Sequence, residues 1–190
     1  SKSTSLTIMQ HGGNYGMDKY YIETFALSIS DMFLSWGWGE EISKVTPMFY
    51  HKKYYKHLKR NGKKRLTLVA LDIPQFPAPL LSYSQSEYKK FLIKDLDLFL
   101  QSIDDKFINN VWLRGFKNHS GIYDYYLRKY PKINIDDSCG SKGSVKNAID
   151  SSKLFVLTYN STFLQEIMLT NAPLIIFWDS DLIPIREDFK

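Results

Sequence analysis

One short segment combines glycine, histidine and amide side chains in an arrangement that could do chemistry. It reads Gln10-His11-Gly12-Gly13-Asn14-Tyr15-Gly16 and follows the short apolar run 6–9. Three glycines in five residues allow a sharp bend and let a ligand approach backbone N–H groups closely. His11 would stand at the mouth of this loop, as a general base on an acceptor hydroxyl or as a donor to developing negative charge. The alternative is a histidine that merely packs in a glycine-rich turn.

A second candidate site lies at Asn160-Ser161-Thr162, where a strand pattern gives way to a helix pattern. The free N–H groups and the positive end of a helix dipole favour a phosphate, and the two hydroxyls add donors. Glu166, one turn further on, could accept hydrogen bonds from a ribose diol. A plain helix N-cap explains the same residues equally well, since serine and threonine are common there.

Further polar side chains follow another predicted strand. Arg114 comes directly after Val111-Trp112-Leu113 and offers a forked, permanently charged contact to a phosphate or carboxylate, although a surface salt bridge is the ordinary alternative. His119 could add a phosphate or hydroxyl contact. Trp36 and Trp38 could stack on a sugar, but aromatic residues of this kind more often wedge between domains.

Several common cofactor and metal signatures are missing from the chain. No GxGxxG follows the first strand, and there is no Walker A motif, which argues against simple NAD or ATP enzymes. The four histidines lack zinc-like spacing and there is no DxD-type acidic cluster, so no metal and no resident cofactor is predicted. The single cysteine, Cys139, excludes a disulfide framework and indicates a reducing compartment.

The elements that must position these residues alternate between strand and helix. Residues 18–29 predict an amphipathic helix and 31–36 a strand, before the Gly37-Trp38-Gly39 turn. Five apolar runs further on predict strands, and helical patterns separate them. The predicted strands are 66–71, 111–113, 133–135, 154–159 and 173–178; the predicted helices are 88–103, 123–130, 144–151 and 162–168. This alternation predicts an α/β fold with a Rossmann-like parallel sheet, helices on both faces and ligands at the carboxyl ends of the strands.

Positive charge is concentrated in one segment. The formal net charge is +5, and residues 51–65 hold eight of the 25 lysines and arginines, so the remainder is slightly acidic. Interleaved tyrosine and lysine could bind nucleic acid or an acidic lipid surface, or attract an anionic substrate. A solvated linker is the more ordinary interpretation of such a run. No apolar run reaches the length of a transmembrane helix.

Taken together, the motifs resemble a known family: the transferases of bacterial surface-carbohydrate biosynthesis. Those proteins are similar in layout to two-domain glycosyltransferases of the GT-B type and to the glycerophosphotransferases of teichoic acid synthesis. The segments that carry the resemblance are 10–16 (QHGGNYG), 30–38 (SDMFLSWGW), 158–166 (TYNSTFLQE) and 175–179 (IIFWD).

The resemblance implies that the chain is the C-terminal half of a GT-B-like fold. Residues 1–46 would end an N-terminal Rossmann-like domain, 47–65 would be a basic linker, and 66–190 would form a truncated nucleotide-sugar-binding domain. Most of the first domain and the last helix of the fold would then lie outside these residues.

The resemblance also implies an activity: transfer of a sugar from a nucleotide-activated donor to a surface polysaccharide. His11 would be catalytic and would face the donor phosphate across an interdomain cleft. The partners would be a nucleotide sugar and a carbohydrate acceptor, not nucleic acid, in the cytoplasm or at the cytoplasmic face of the inner membrane. The implied substrate-binding residues are Gly12, Gly13, Arg114, Asn160, Ser161, Thr162 and Glu166.

Two other functions fit the same residues. A nucleotide-sugar epimerase would use the same fold without an acceptor. A non-catalytic binding module would dock nucleic acid or membrane through segment 52–65, and its binding would depend steeply on salt.

Overall fold

The N-terminal part of the chain forms a small parallel sheet. The computed structural model describes residues 4–19, 23–48, 64–71, 85–115, 121–179, 181 and 184–187. Within them, strands β1 (Thr7–Met9), β2 (Met32–Ser35) and β3 (Val45–Pro47) pair in parallel in that order. Strand β3 escapes sequence prediction because it is three residues long and ends in proline, which a sheet accepts at an edge.

The first helix is shorter and less buried than the sequence predicts. Helix α1 spans Thr24–Ile29, whereas a helix over 18–29 was predicted. At the start of the predicted span, Asp18 instead forms an antiparallel bridge with Ile185. Phe25 is 72% exposed and α1 buries none of its residues, so the periodicity of this segment does not correspond to a packed face.

The larger sheet confirms the predicted five-stranded α/β fold. Its strands are β4 (Arg65–Val69), β5 (Val111–Arg114), β6 (Asn134–Asp136), β7 (Ser152–Leu157) and β8 (Leu174–Ile176). They are all parallel, in the order β6-β5-β4-β7-β8. The chain turns outward in one direction from β4 to β6 and then crosses back to β7, which is the Rossmann-like arrangement. The strand order therefore reverses between β4 and β7.

Helices cover both faces of this sheet, as predicted. The helices are α2 (Gln85–Ser102), α3 (Asp105–Ile108), α4 (Ile122–Lys129), α5 (Ser144–Ser151) and α6 (Thr162–Met168). On one face, residues of α2 and α4 such as Leu96 and Tyr126 pack against Leu68. On the other face, Ile149 of α5 and Ile167 of α6 pack in a second core with strand residues of β4 and β7. Strands buried on both faces explain the nearly continuous apolar runs in the sequence. Among the described residues, no helix combines the length and apolar character needed to cross a membrane.

Two distant segments close on the start of the chain. The backbone N–H of Lys19 donates to the carbonyl of Pro184, and that of Arg186 donates to the carbonyl of Met17. The loop after β7 contacts residue 13, as described below. The segment that carries the glycines is therefore held from two sides, by the turn after β7 and by residues 184–186.

Candidate active site at the glycine loop

Residues 10–16, here called the glycine loop, lie directly against the start of α6. The N–H of Gly13 donates to Oγ1 of Thr162 over 3.1 Å. The carbonyl of Gly13 accepts from the side-chain amides of Asn160 at 3.3 Å and Gln165 at 3.4 Å. A Cβ on residue 13 would lie 2.5 Å from the carbonyl carbon of Ser161, so only glycine fits without a shift of backbone. The resemblance implies that the loop and the turn after β7 face each other across a cleft, whereas in the structure they are in direct contact at this point.

The two ends of the loop are fixed by the buried side chain of Gln10 and the half-buried ring of Trp38. Gln10, which is only 1% exposed, donates from Nε2 to the carbonyl of Gly12 at 2.7 Å. Its Oε1 accepts from the backbone N–H of Trp36 and from Nε1 of Trp38, at 2.8 and 2.7 Å. The Trp38 ring lies so close to Gly16 that a Cβ there would be 2.4 Å from it, and Gly16 has a φ of +77°. The two tryptophan residues thus brace the glycine loop, and Gly16 is needed both for its backbone angle and for the close approach of the ring.

His11 projects from this braced backbone and is exposed. Its Nδ1 lies 3.1 Å from the hydroxyl of Tyr15, and the two rings meet edge to face with centroids 5.3 Å apart. Tyr15 in turn stacks on Phe33, a fully buried residue of β2, with a centroid separation of 6.0 Å. The imidazole therefore has a fixed partner on one nitrogen, while Nε2 has no hydrogen-bond partner among the residues that the structure describes.

Two carboxylates lie close to the same loop. Glu23 is 1% exposed, and neither of its carboxylate oxygens has a hydrogen-bond partner within the described part of the chain. Burial, with the charge of Glu23 as a second cause, raises the pKa of Asp18 to about 6. The same two causes raise the pKa of the Tyr15 hydroxyl. The surroundings of the loop therefore disfavour negative charge on Asp18 and Tyr15.

The turn after β7 contributes both capping and contact with the loop. Ser161 is the N-cap of α6 and its hydroxyl accepts from the N–H of Leu164 at 3.3 Å, as the N-cap interpretation predicts. Asn160 and Glu166 are buried, at 2% and 8% exposure. Because the Thr162 hydroxyl already accepts the N–H of Gly13, a ligand at this edge would lie beside the Gly13–Ser161 contact, not between these two residues.

Arg114 is occupied by a buried polar network. Its Nη1 donates to Asp136 at 2.8 Å and to Ser138 at 3.1 Å, and its Nη2 donates to Ser144 at 3.2 Å. Arg65 reaches the same carboxylate and stacks over Trp112, so it belongs to the sheet and not to a basic surface. Burial opposes ionisation, but hydrogen bonds from Ser138 and Arg65 and the charge of Arg114 hold the pKa of Asp136 at about 2. Arg114 therefore joins the ends of β5 and β6 to α5 and is only 2% exposed.

The structure brings the predicted site residues together in part. Gly13, Asn160, Ser161 and Thr162 form one contact, with His11 and Gly12 directly preceding it in the chain. Arg114 belongs to a separate polar network, although its guanidinium lies over the ring of Phe163 in α6, 5.3 Å from the centroid.

Some predictions fall outside the part that can be described. His119 and nearly all of the basic segment, residues 49–63, lie outside the described residues. Within the described ranges, no group of three or more His, Cys, Asp or Glu side chains could hold a metal ion.

Sequence reasoning missed several residues that shape this site. Gln10 and Tyr15 stand within the motif itself, but their roles depend on Trp38 and Phe33, which the pattern of the loop does not reveal. Gln165 reaches Gly13 across 152 positions of sequence, and no local signal points to such a contact. Only the polarity of a side chain just inside a helix could have suggested it.

The comparisons with known proteins bear on the whole chain. No curated protein and no solved structure matches it. The family model described as LIC12162 family transferase matches residues 1–190. A match over the full length includes both the glycine loop and the turn after β7. The chain is therefore a member of the LIC12162 family of transferases.

Proposed function

We propose that this transferase moves a sugar from a nucleotide-activated donor to a surface-carbohydrate acceptor, as the C-terminal half of a GT-B-like fold. The observation that carries the proposal is the hydrogen bond between Gly13 and Thr162. It sets the exposed His11 beside the carboxyl end of β7, where the strand order of the sheet reverses. Open parallel sheets bind their ligands in the crevice at such a point.

The chemistry of glycosyl transfer makes two demands that an imidazole can meet. The acceptor oxygen attacks the anomeric carbon, the bond from that carbon to the donor phosphate breaks, and its electron pair leaves with the phosphate. A base must take the acceptor proton, and a donor can stabilise the charge on the departing phosphate. His11 serves one of these two purposes. No metal is required in this scheme, because hydrogen-bond donors at the phosphate take over part of its charge.

The donor is assigned to the surface beside the Gly13–Ser161 contact. Gly12 and Gly13 line one side of this donor site, and the 160–162 turn lines the other. Glu166 accepts hydrogen bonds from the ribose of the donor. Because both of its Nη groups are engaged with Asp136, Ser138 and Ser144, Arg114 contributes positive charge and not a forked contact. We place the reaction in the cytoplasm or at the cytoplasmic face of the membrane, in keeping with the single cysteine.

Calorimetric titration of the full-length protein with UDP, GDP, CDP, ADP and CMP tests the donor site. One of these nucleotides should bind saturably, and Glu166→Gln should weaken it by about tenfold or more, as the loss of charge-assisted hydrogen bonds predicts. Asp105→Asn is the matched control. Asp105 is an exposed carboxylate on α3, which directly precedes β5 and therefore lies at the amino ends of the strands, away from the proposed site. Failure of all five nucleotides to bind would refute the proposal.

His11→Ala separates catalysis from binding. The variant should lose far less nucleotide binding than transfer activity, since the loop backbone is held by Gln10 and Gly13 and one phosphate contact at most is removed. Transfer to the acceptor should fall by about 10²–10⁴-fold, the usual contribution of a positioned acid or base. Product analysis without acceptor distinguishes transfer from epimerisation, because an epimerase would convert the donor by itself.

A further inference from the structure

Resting on the proposed function, we infer that Tyr15 is a positioning residue for His11. The Tyr15 hydroxyl donates to Nδ1 and leaves the proton of the neutral imidazole on Nε2. His11 then acts as a hydrogen-bond donor to the departing phosphate, and not as the base that takes the acceptor proton.

The geometry fixes the Tyr15 hydroxyl relative to the protein core. The ring of Tyr15 lies nearly parallel to that of Phe33, at an interplanar angle of 16°, and Phe33 is fully buried. Phe33 also contacts the ring of Trp38, with centroids 5.8 Å apart. The ring that carries the hydroxyl is therefore stacked on a buried phenylalanine that is itself packed against Trp38, and the 3.1 Å contact of the hydroxyl sets the plane and position of the His11 imidazole.

The available partners favour donation from the Tyr15 hydroxyl to Nδ1 of His11. The Tyr15 hydroxyl has a single proton, and among the described residues Nδ1 of His11 is its one hydrogen-bond partner. Burial and the charge of Glu23 raise the pKa of Tyr15, so the hydroxyl keeps this proton through the neutral range. The nitrogen that accepts a hydrogen bond in a neutral imidazole is unprotonated, and the other nitrogen carries the proton.

This assignment has a defined chemical consequence. Nε2 belongs to an exposed side chain and has no partner within the described part of the chain, so its N–H is free to meet a ligand. It can donate to the phosphate oxygen that receives the electron pair when the bond between the anomeric carbon and the donor phosphate breaks. The acceptor proton then passes to water, because an Nε2 that already carries a proton cannot take it.

The tautomer of His11 can be measured directly. Nitrogen-15 NMR of the full-length protein, labelled at its histidine side chains, distinguishes protonated from unprotonated ring nitrogens, and His11→Ala identifies the His11 signals. At a pH where the imidazole is neutral, we expect Nδ1 unprotonated and Nε2 protonated. Tyr15→Phe keeps the ring on Phe33 but removes the donor, so the two tautomers should become mixed. Tyr125→Phe is the control, because that hydroxyl binds Asp97 of α2.

A protonated Nδ1 in the wild type would overturn the inference, and so would a Tyr15→Phe variant with an unchanged tautomer. Under transfer conditions, Tyr15→Phe should lower kcat by about tenfold with little change in KM, whereas Tyr125→Phe should change neither. The NMR experiment needs no ligand. An absence of nucleotide binding, which refutes the proposed function, is therefore distinguishable from a failure of the Tyr15–His11 assignment.

Discussion

Replacing Gly13 by alanine probes the contact on which the candidate site depends. The new methyl carbon would lie 2.5 Å from the carbonyl carbon of Ser161, 2.6 Å from the N of Thr162 and 2.7 Å from the Ser161 oxygen. All three neighbours are backbone atoms, which cannot rotate away as a flexible side chain would. The protein must either compress this contact or separate the glycine loop from the start of α6.

The two responses have similar free-energy costs. Overpacking a tight contact costs about 1–3 kcal/mol. Separating the loop gives up the three hydrogen bonds of Gly13, with Thr162, Asn160 and Gln165, at about 1 kcal/mol each. The variant should therefore lose about 2–3 kcal/mol of unfolding free energy, which for a chain of this size lowers Tm by about 4–12 °C.

Differential scanning calorimetry of Gly13→Ala and Gly12→Ala measures this difference under identical conditions. A methyl group on residue 12 would lie 3.5 Å from a ring carbon of Tyr15, an ordinary van der Waals contact. Gly12→Ala should therefore change Tm by no more than about 2 °C, in line with a strain-free surface substitution. Equal Tm values for the two variants would refute the direct contact between the glycine loop and α6.

Three further substitutions test the surroundings of the site. Gly16→Ala should destabilise the protein by about 2–4 kcal/mol, because φ is +77° and the methyl group would lie 2.4 Å from the Trp38 ring; chemical unfolding followed by tryptophan fluorescence measures it. Asp136→Asn should cost about 3–5 kcal/mol, because Arg114 would remain buried without its carboxylate. The free energy of unfolding of the wild type should fall by about 2 kcal/mol as the pH falls from about 4 through about 2. The fold lowers the pKa of Asp136, so this carboxyl contributes its full stabilisation only above the pKa that it has in the unfolded chain. Asp18→Asn should raise the free energy of unfolding by about 1–2 kcal/mol above pH 6 and have little effect below pH 4. The fold raises the pKa of Asp18, so the ionised carboxylate destabilises the wild type at high pH, and the neutral amide does not.

Each of these expectations has an outcome that contradicts it. A Gly16→Ala variant as stable as the wild type would mean that Trp38 does not lie on the loop backbone. If the Asp136→Asn variant unfolded in acid at the same pH as the wild type, the Asp136 carboxylate would not be part of the buried network. Equal stabilisation by Asp18→Asn at pH 4 and at pH 8 would show that ionisation of Asp18 is not the cause.

The five-stranded sheet was predictable because its signal is local. Runs such as 66–71 and 154–159 are apolar over almost their whole length, as strands covered on both faces must be. The N-capping role of Ser161 was predictable for the same reason, since a cap depends on the next three residues. Helix α1 shows the limit of this reasoning. Its apolar residues have helical spacing, but none of the residues of the helix is buried.

The role of Arg114 could not be read from its position at a strand end. The pair Asp136-Asp137 is visible in the sequence, and adjacent residues on a strand point to opposite faces. The parallel register pairs Arg114 with Asp136, so the guanidinium and this carboxylate meet on one face of the sheet. Strand order and register decide this contact, and neither property is encoded near either residue.

The sequence separation of the Gly13 contacts has a consequence for the order of events during synthesis. The loop leaves the ribosome before its partners Asn160, Thr162 and Gln165, which follow Gly13 by 147, 149 and 152 residues. The bridge from Asp18 to Ile185 requires still more of the chain. At about 5–20 residues per second, the nascent loop waits on the order of ten seconds for these partners. The segment that carries His11 is thus translated long before the residues that hold it in place.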